Sequence, residues 1–301
     1  MSASTRAADL FAAATDLLIA GAAPGPAGAA VPDELELAVR LRATATGGIP
    51  DPAFIEGLRA QLRPHPISAA DPAVRYALLD TPLGRLAVAY RDGRIVYCSA
   101  VAVDEVATAG FERAVARALG ARPEPEPAAP AAIVRGVRDH LAGRRRFTSI
   151  DLSWLPPFQQ RVLAKTAEIP RGEVRPYGWV AREIGAPGAV RAVGTALGHN
   201  PIPFIVPCHR VVRADGSLGE YSGGGPAVKE RVLAYEQAPV AALTAAARRG
   251  ERFRGSRTTH IVCYPSCHAA RRIREENAVA FTSLVEARAQ GYRPCERCRP
   301  A

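Results

Sequence analysis

The chain has no long hydrophobic run, since no stretch of 18 or more consecutive apolar residues occurs among its 301 residues. A helix that crosses a membrane needs such a run, so the sequence predicts no membrane span. The N-terminus also lacks the basic start and continuous apolar core of a signal peptide, because Asp9 follows Arg6 before the alanine-rich stretch. We therefore expect a cytoplasmic protein.

Cysteine is scarce as well, and the six in the chain are Cys98, Cys208, Cys263, Cys267, Cys295 and Cys298. In a reducing compartment such thiols are expected in metal binding or catalysis rather than in disulfides. Four of the six fall in the last 39 residues, which separates a C-terminal cluster from the isolated Cys208.

Positive charge is in excess and is unevenly spread. The net charge is +10, and residues 248–301 hold 12 arginines against 5 glutamates. A basic tail on a moderately basic body favours an anionic partner, and nucleic acid is the usual one. The alternative is a solvated basic surface without a specific partner.

Hydrophobic periodicity, with breaks at Gly and Pro, divides the chain into five segments and predicts a mixed α+β fold rich in helices. In chain order the segments are a helical N-terminal extension (1–70), a small α/β domain (71–150), a domain with a helix-turn-helix (151–240), a linker (241–256) and a four-cysteine module (257–301).

The α/β segment is predicted to begin with a β-meander over 74–103, where TPLGRLAVAYRDGRIV alternates apolar and polar residues around two turns. A helix and a Pro-rich spacer (121–132) follow. Cys98, near the end of the third strand, is expected to be a small buried hydrophobic residue.

The helix-turn-helix is predicted from helical patterns over 175–185 and 189–200, joined by the turn APG. Its second helix contains Ala192, Gly194, Ala196 and Gly198, although glycine inside a helix costs about 1 kcal/mol relative to alanine. Small residues allow another backbone to come close, either a core element or a nucleic acid groove.

A cysteine and a histidine stand side by side in IPFIVPCHRVV (202–212). One interpretation is a core strand that happens to hold Cys208 and His209. The other is a reactive thiolate, formed when the imidazole takes the thiol proton. Neighbours in a strand face opposite sides, so the second interpretation requires a turn at Pro207 or a bridging water. Glu236, in the helical pattern VKERVLAYEQ, is a candidate to orient the imidazole.

The C-terminal cysteines occur as Cys263-x3-Cys267 and Cys295-x2-Cys298, with 27 residues between the pairs. Two close pairs at such spacing are typical of a tetrahedral zinc site with four thiolate ligands. Disulfides are the alternative. So short a segment has little core, and the metal would supply its folding free energy.

The stretch NPIPFIVPCHRVV, followed by EYSGGG and VKERVLAYE, closely resembles the O6-alkylguanine-DNA alkyltransferase (methylated-DNA–protein-cysteine methyltransferase) family. The resemblance begins at FQQRVLAKTAEIPRGEVRPYGWVAREIG and includes AVRAVGTALGHNP. It implies suicide transfer of an alkyl group from guanine O6 in DNA to Cys208, with no organic cofactor. The meander looks like the weaker N-terminal α/β domain of that family.

The same resemblance implies roles for the surrounding residues. His209 would deprotonate Cys208 through a water, Glu236 would fix His209, and Asn200 would brace the turn between the recognition helix and the cysteine strand. A monomer would bind double-stranded DNA through the minor groove with a flipped base. The residues expected to contact DNA or the base are Tyr177, Arg191, Ala192, Gly194, Ala196, Pro203, Tyr221 and Ser222.

The tail, with TTHIVCYPSC and GYRPCERCRP, resembles the zinc-binding methylphosphotriester domain of the bacterial adaptive-response protein. This implies that Cys263 is both a zinc ligand and a second methyl acceptor, with Arg271, Arg272 and Arg274 holding phosphates. Tyr264 stands where members of that family usually have Arg. If the zinc module and the domain that holds Cys208 are independent, Cys263→Ser is expected to lose zinc but to leave alkyl transfer to Cys208 largely intact.

Two other classes of function compete with this interpretation. A Cys-His hydrolase would turn over many substrate molecules and would need an oxyanion hole, for which no donor loop is evident. A methylation-responsive DNA-binding regulator would need a further DNA-binding domain after the zinc module, and none follows in the sequence.

Overall fold

The computed structural model describes residues 73–101 and 105–300, so the helical extension expected over 1–70 lies outside the described residues. The chain separates into two compact units, which meet in sequence between Gln160 and Arg161. Within the described ranges, no helix is both long and apolar enough to cross a membrane.

The first unit contains the predicted meander, in which β1 (Arg75–Thr81), β2 (Gly84–Arg91) and β3 (Arg94–Ala100) pair antiparallel. Asp92 and Gly93 connect β2 to β3 with φ of 50° and 70°, the left-handed pair that a tight hairpin turn requires. Cys98 is buried, as expected.

Two helices and a short strand complete this unit: α1 (Glu105–Leu119), β4 (Glu124–Pro125) and α2 (Ala131–Leu141). β4 lies in the segment expected to be only a Pro-rich spacer, and it pairs parallel with β1. The backbone amides of Glu124 and Glu126 make this connection to the carbonyls of Val74 and Tyr76, so the prolines do not have to donate. Phe111, Val115 and Leu119 of α1 pack on the sheet.

The helix-turn-helix domain follows α3 (Pro157–Thr166), which runs across the division between the units. Its two helices are α4 (Tyr177–Glu183) and α5 (Val190–Gly198), close to the predicted spans. The short strands β5 (Arg175–Pro176) and β6 (Val211–Val212) pair parallel, and α6 (Gly225–Tyr235) closes the domain.

The segment 241–256, expected to be a linker, instead contains α7 (Val240–Arg248) and β7 (Phe253–Ser256). Val240, Leu243 and Ala246 recur at helical spacing and are buried. Val240 and Leu243 join a core cluster with Val174, Val212 and Leu233, which lie in the helix-turn-helix domain. This apolar face makes the segment part of the second unit rather than a free connection.

The C-terminal module is a small mixed sheet in the order β10-β8-β7-β9, with β8 (Ile261–Cys263), β9 (Ala278–Phe281) and β10 (Arg293–Pro294). Two short helices, α8 (His268–Arg271) and α9 (Leu284–Ala289), connect the strands. A Cβ at Gly255 in β7 would lie 2.7 Å from the rings of Phe281 and Tyr292, so the tight packing here requires glycine.

Candidate active site and metal centre

The chain turns sharply at the cysteine, rather than running on as a strand. Pro207 has φ −83° and ψ 63°, and Cys208–Arg210 form one turn of 3-10 helix. The expected cysteine strand is therefore replaced by a turn, and strand β6 starts only after Arg210. The turn at Pro207 that the reactive interpretation required is present. It follows an irregular loop, in which Phe204 has φ 70° and Pro203 and Val206 form an isolated bridge, so no strand leads to the cysteine.

Asn200 is buried just beyond the end of α5, where it holds the loop that leads to the cysteine. Its Nδ2 donates to Val206 O at 2.9 Å and to Cys208 Sγ at 3.1 Å. Its Oδ1 accepts a hydrogen bond from Ile202 N at 3.1 Å. One side chain thus fixes both the loop and the sulfur.

His209 and Glu236 are brought together, as the sequence predicted. His209 Nε2 lies 3.1 Å from Glu236 Oε1, and both side chains are buried. At that distance the Glu236 carboxylate attracts His209 strongly only when the imidazole is protonated and carries a positive charge. Neither ring nitrogen makes a well-directed hydrogen bond among the described residues, so Nδ1 keeps its capacity to accept a proton.

Arg210 is a further partner of Glu236 that the sequence did not indicate. It donates from Nε to Oε2 at 2.8 Å and from Nη2 to Oε1 at 2.7 Å, while Nη1 donates to Ile169 O at 2.6 Å. Such a bidentate pair is among the stronger charge-assisted contacts. Burial alone would raise the pKa of Glu236, but His209 and Arg210 lower it well below its ordinary value.

The pKa values of the reacting pair are set mainly by burial. Burial raises the pKa of the Cys208 thiol, although the hydrogen bond from Asn200 and the charge of Lys229 act in the opposite direction. Burial also lowers the pKa of His209, opposed by Glu236. Near neutral pH the site therefore holds a thiol beside a neutral imidazole that can take its proton.

Lys229 is a second residue that sequence reasoning missed. It is almost completely buried, and its Nζ donates to Val211 O at 2.7 Å and to Leu218 O at 2.6 Å. Burial lowers the pKa of Lys229 to about 8, although the charge of Cys208 raises it. The seven-residue spacing from Lys229 to Glu236, two turns along one helix face, was an available signal.

A cavity of about 330 Å³ opens above the thiol. It is lined by Tyr177, Gly194, Leu197, Gly198, Cys208, Glu220, Tyr221 and Ser222. Tyr177, Gly194, Tyr221 and Ser222 were all expected at the site. Pro203 and Arg191 are not among the lining residues: Pro203 is buried in the loop before the cysteine, and Arg191 is exposed at the start of α5.

The small residues of α5 divide between two faces. Ala192 and Ala196 are buried, whereas a Cβ at Gly194 or Gly198 would meet nothing within 4 Å. The glycines are therefore not required for packing inside the protein. They leave an open strip on the helix beside the cavity.

The four C-terminal cysteines form one cluster, although they are distant in sequence. The Sγ atoms of Cys263, Cys267, Cys295 and Cys298 all lie within 4.8 Å of one another, and no disulfide joins them. Tetrahedral thiolate ligation of zinc, with Zn–S near 2.3 Å, places sulfurs about 3.8 Å apart. The residues fit a four-thiolate zinc ion, and the module binds zinc.

Two family models match the chain. Residues 157–238 match the DNA-binding domain of 6-O-methylguanine DNA methyltransferase, and residues 240–301 match the metal-binding domain of Ada. The fold and site thus define a protein with a DNA-binding domain and a zinc-binding domain.

Similar proteins narrow this class. The methylated-DNA–protein-cysteine methyltransferase of Mycolicibacterium paratuberculosis is 39% identical over 166 residues, which cover 54% of this chain and 93% of that protein. The protein of that name from Mycobacterium bovis is 48% identical over 101 residues, 33% of this chain and 61% of the relative. The chain belongs to the methylated-DNA–protein-cysteine methyltransferase family.

A solved structure is also similar. The crystal structure of Mycobacterium tuberculosis O6-methylguanine methyltransferase is 37% identical and matches with a TM-score of 0.44, covering 55% of this chain and 93% of the other.

Proposed function

We propose that this chain repairs O6-alkylguanine in DNA by moving the alkyl group onto Cys208. The observation that carries the proposal is the position of Cys208 in the cavity wall, bordered by the open glycine strip of the helix-turn-helix. A base entering between Gly194 and Tyr221 would meet the sulfur. A cavity of about 330 Å³ is at the small end of the range for ligand pockets, as one base requires.

The reaction is a single displacement. The Cys208 thiolate attacks the alkyl carbon, an S–C bond forms, and the bond from that carbon to guanine O6 breaks. The electron pair of the broken bond stays on the guanine, which takes up a proton. A thioether is a poor leaving group, so each chain acts once. This single turnover distinguishes the proposal from a Cys-His hydrolase.

The buried side chains prepare the thiol. His209 accepts the Cys208 proton through a bridging water, and Glu236 stabilises the imidazolium that forms. Lys229 and the Asn200 amide stabilise the thiolate in surroundings that otherwise disfavour charge. The contacts of Asn200 with both Val206 and Cys208 support its role as a brace.

The base reaches Cys208 only after it leaves the duplex, because the sulfur is buried. In this proposal α5 lies in the minor groove, with Gly194 and Gly198 on its open face allowing close approach, and Arg191 fills the vacated place in the stack. Ala192 and Ala196, which the sequence suggested for the same role, are buried on the other face and pack inside the protein. Tyr177, Tyr221 and Ser222, which line the cavity, hold the flipped base, whereas buried Pro203 supports the loop before Cys208. One cytoplasmic chain carries every group involved, so the protein acts as a monomer.

A second transfer is proposed for the zinc module, supported by its match to the metal-binding domain of Ada. A zinc ion held by Cys263, Cys267, Cys295 and Cys298 would keep the Cys263 sulfur ionised, and this thiolate would attack the methyl carbon of a DNA phosphotriester. The methyl–oxygen bond breaks, leaving an ordinary phosphodiester anion and a methylated Cys263. Exposed Arg272 and Arg274 are the candidate phosphate ligands.

The proposal is tested by mapping methylated peptides after incubation with DNA that carries O6-methylguanine. We expect Cys208→Ala to abolish transfer from the base. The matched control is Cys98→Ala, another buried thiol, which should transfer like the parent protein. Loss of O6-methylguanine in Cys208→Ala, or more than one turnover per chain, would contradict the assignment. A second substrate with methylphosphotriesters alone tests whether Cys263 gains a methyl group.

A further inference from the structure

The zinc module is joined to the helix-turn-helix domain by buried polar contacts. Ser266 is fully buried, accepts a hydrogen bond from Val174 N at 2.9 Å and donates to Val174 O at 3.0 Å. Glu173 Oε1 accepts from His268 N at 3.0 Å and lies 3.5 Å from Arg297. Val174 and Glu173 directly precede strand β5, so the contacts reach the start of the helix-turn-helix.

The ion pair between Glu173 and Arg175 is buried beneath residues of the zinc module and depends on their contacts. Arg175 Nη2 donates to Glu173 Oε2 at 2.5 Å, and both side chains are almost completely buried. The guanidinium lies 5.6 Å from the ring centre of Tyr264 and 5.8 Å from that of Trp179. A buried pair is favourable only when further partners satisfy it, and the zinc module supplies several of them.

These contacts explain why a tyrosine follows Cys263. Tyr264 is buried, packs against Phe253 with ring centres 5.6 Å apart, and faces Arg175. An arginine at this position would set a second positive charge against Arg175. The aromatic ring instead stabilises the guanidinium by a cation–π contact.

The other end of α4 is held by the same module. Arg299 Nη2 pairs with Glu183 Oε2 at 2.7 Å, and Arg182 Nη2 donates to Arg299 O at 2.6 Å. Arg299 directly follows the zinc ligand Cys298. The segment that leads into the first helix of the helix-turn-helix and the C-terminal end of that helix are therefore both attached to residues whose positions depend on the metal cluster.

A short path leads from this interface to the reacting groups. Arg175 in β5 pairs with Val211 in β6, and Pro176 pairs with Val212. Tyr177, in the cavity wall, follows β5 directly, while β6 directly follows the turn that holds Cys208. The two-residue strands thus connect the Glu173–Arg175 pair to both Tyr177 and Cys208.

We propose that the zinc-bound module positions the alkyl-transfer site, with Glu173 and Arg175 as the positioning residues through which it acts. This inference rests on the proposed function. Without metal the small module loses its centre and unfolds. Glu173 then loses His268, and α4 loses Arg299. Tyr177 and Cys208 are no longer held in register, so zinc loss slows transfer to Cys208, contrary to the expectation for independent modules.

The first test compares the full-length protein with and without zinc. Two quantities are measured: the single-turnover rate at saturating DNA, and hydrogen exchange of the amides in 175–183. Zinc removal is expected to slow transfer about tenfold or more, within the range by which a misplacement of about 1 Å lowers rates. Exchange over 175–183 is expected to accelerate. Unchanged exchange would overturn the inference even if the protein transferred no alkyl group at all.

The second test breaks the coupling while zinc remains. Tyr264→Arg places a charge against Arg175, and Tyr264→Phe is its matched control because it keeps the ring. We expect Tyr264→Arg to retain one zinc ion per chain, to transfer the alkyl group as slowly as the zinc-free parent, and to respond little to chelation. Tyr264→Phe should match the parent.

A second pair of variants tests the contact of Arg299 with α4. Arg299→Ala is expected to slow alkyl transfer and Arg299→Lys to restore it. Parental rates and exchange in both Tyr264→Arg and Arg299→Ala would refute the proposal.

Discussion

Cys208 lies where a thiolate is disfavoured, and its reactivity depends on the few groups that offset burial. Asn200, Lys229 and His209 contact it or act on it through charge. The sequence predicted Cys208, His209 and Glu236 because their residue types suit proton transfer. The sequence does not indicate Arg210 and Lys229 because arginine and lysine side chains are usually solvated, and only the fold shows that these two are buried.

The Glu236 carboxylate makes stability dependent on pH. Its pKa is lowered in the folded protein, so the unfolded chain binds more protons as the pH falls below about 4.5. The contribution of Glu236 to the free energy of unfolding is thus complete above about pH 4.5 and is lost progressively at lower pH. At neutral pH, Glu236→Gln leaves Arg210 without its charged partner, and the expected loss is about 3–5 kcal/mol.

The measurement is urea unfolding of parent and Glu236→Gln from about pH 7 down to about pH 3. The difference in free energy of unfolding should be smaller near pH 3 than near pH 7, because the advantage of the charged Glu236 is lost as the pH falls below about 4.5. Both proteins keep the same cysteine cluster, so acid release of zinc cancels in the difference. A difference that is independent of pH would contradict the role given to this carboxylate.

At the scale of elements, long periodic segments were predictable and short ones were not. The meander and helices α4 to α6 follow their sequence patterns closely. Strands β4, β5 and β6 have two residues each, too few to show alternation, and they form because neighbouring chain segments supply hydrogen-bond partners. Helix α7 lies where the sequence predicts a linker. Alanine favours a helix, but AALTAAARRG has few large apolar residues to mark a buried face, and that face is defined only by the core that it meets.

Helix α5 offers a test that separates stability from function. Gly194→Ala adds a Cβ with no atom within 4 Å, so the folded protein should gain up to about 1 kcal/mol in free energy of unfolding. The same methyl group narrows the cavity that the base must enter. We expect transfer to slow about tenfold, since small displacements of reacting groups are costly.

Gly110→Ala in α1 is the matched control, because Gly110 is also helical and its added Cβ would also meet nothing within 4 Å. Both variants should melt at a higher temperature than the parent, but only Gly194→Ala should lose activity in a single-turnover assay. Parental activity in a stabilised Gly194→Ala would mean that this strip of α5 does not face the substrate.

At the scale of the whole molecule, the excess positive charge lies where the sequence placed it, in the zinc module. Arg272 and Arg274 are exposed there, whereas Arg271 donates to Gln237 O and is partly engaged by the protein. Cysteine spacing carries no information about an interface. The sequence therefore could not show that the zinc module contacts the helix-turn-helix domain through Glu173, Ser266 and Tyr264. Because these buried contacts join the zinc module to the helix-turn-helix domain, we expect one DNA duplex to contact both modules.

This expectation is tested by the salt dependence of DNA binding. Each phosphate contact that is lost lowers the slope of log K against log salt by about 1. The double variant Arg272→Ala with Arg274→Ala should therefore reduce the slope by about 2 and weaken binding to the same extent on unrelated sequences. Exposed Arg94 and Arg113 of the first unit, changed together to alanine, form the control with the same loss of charge. An equal reduction in both double variants would indicate only a general charge effect, and an unchanged slope in the first would place the zinc module off the DNA.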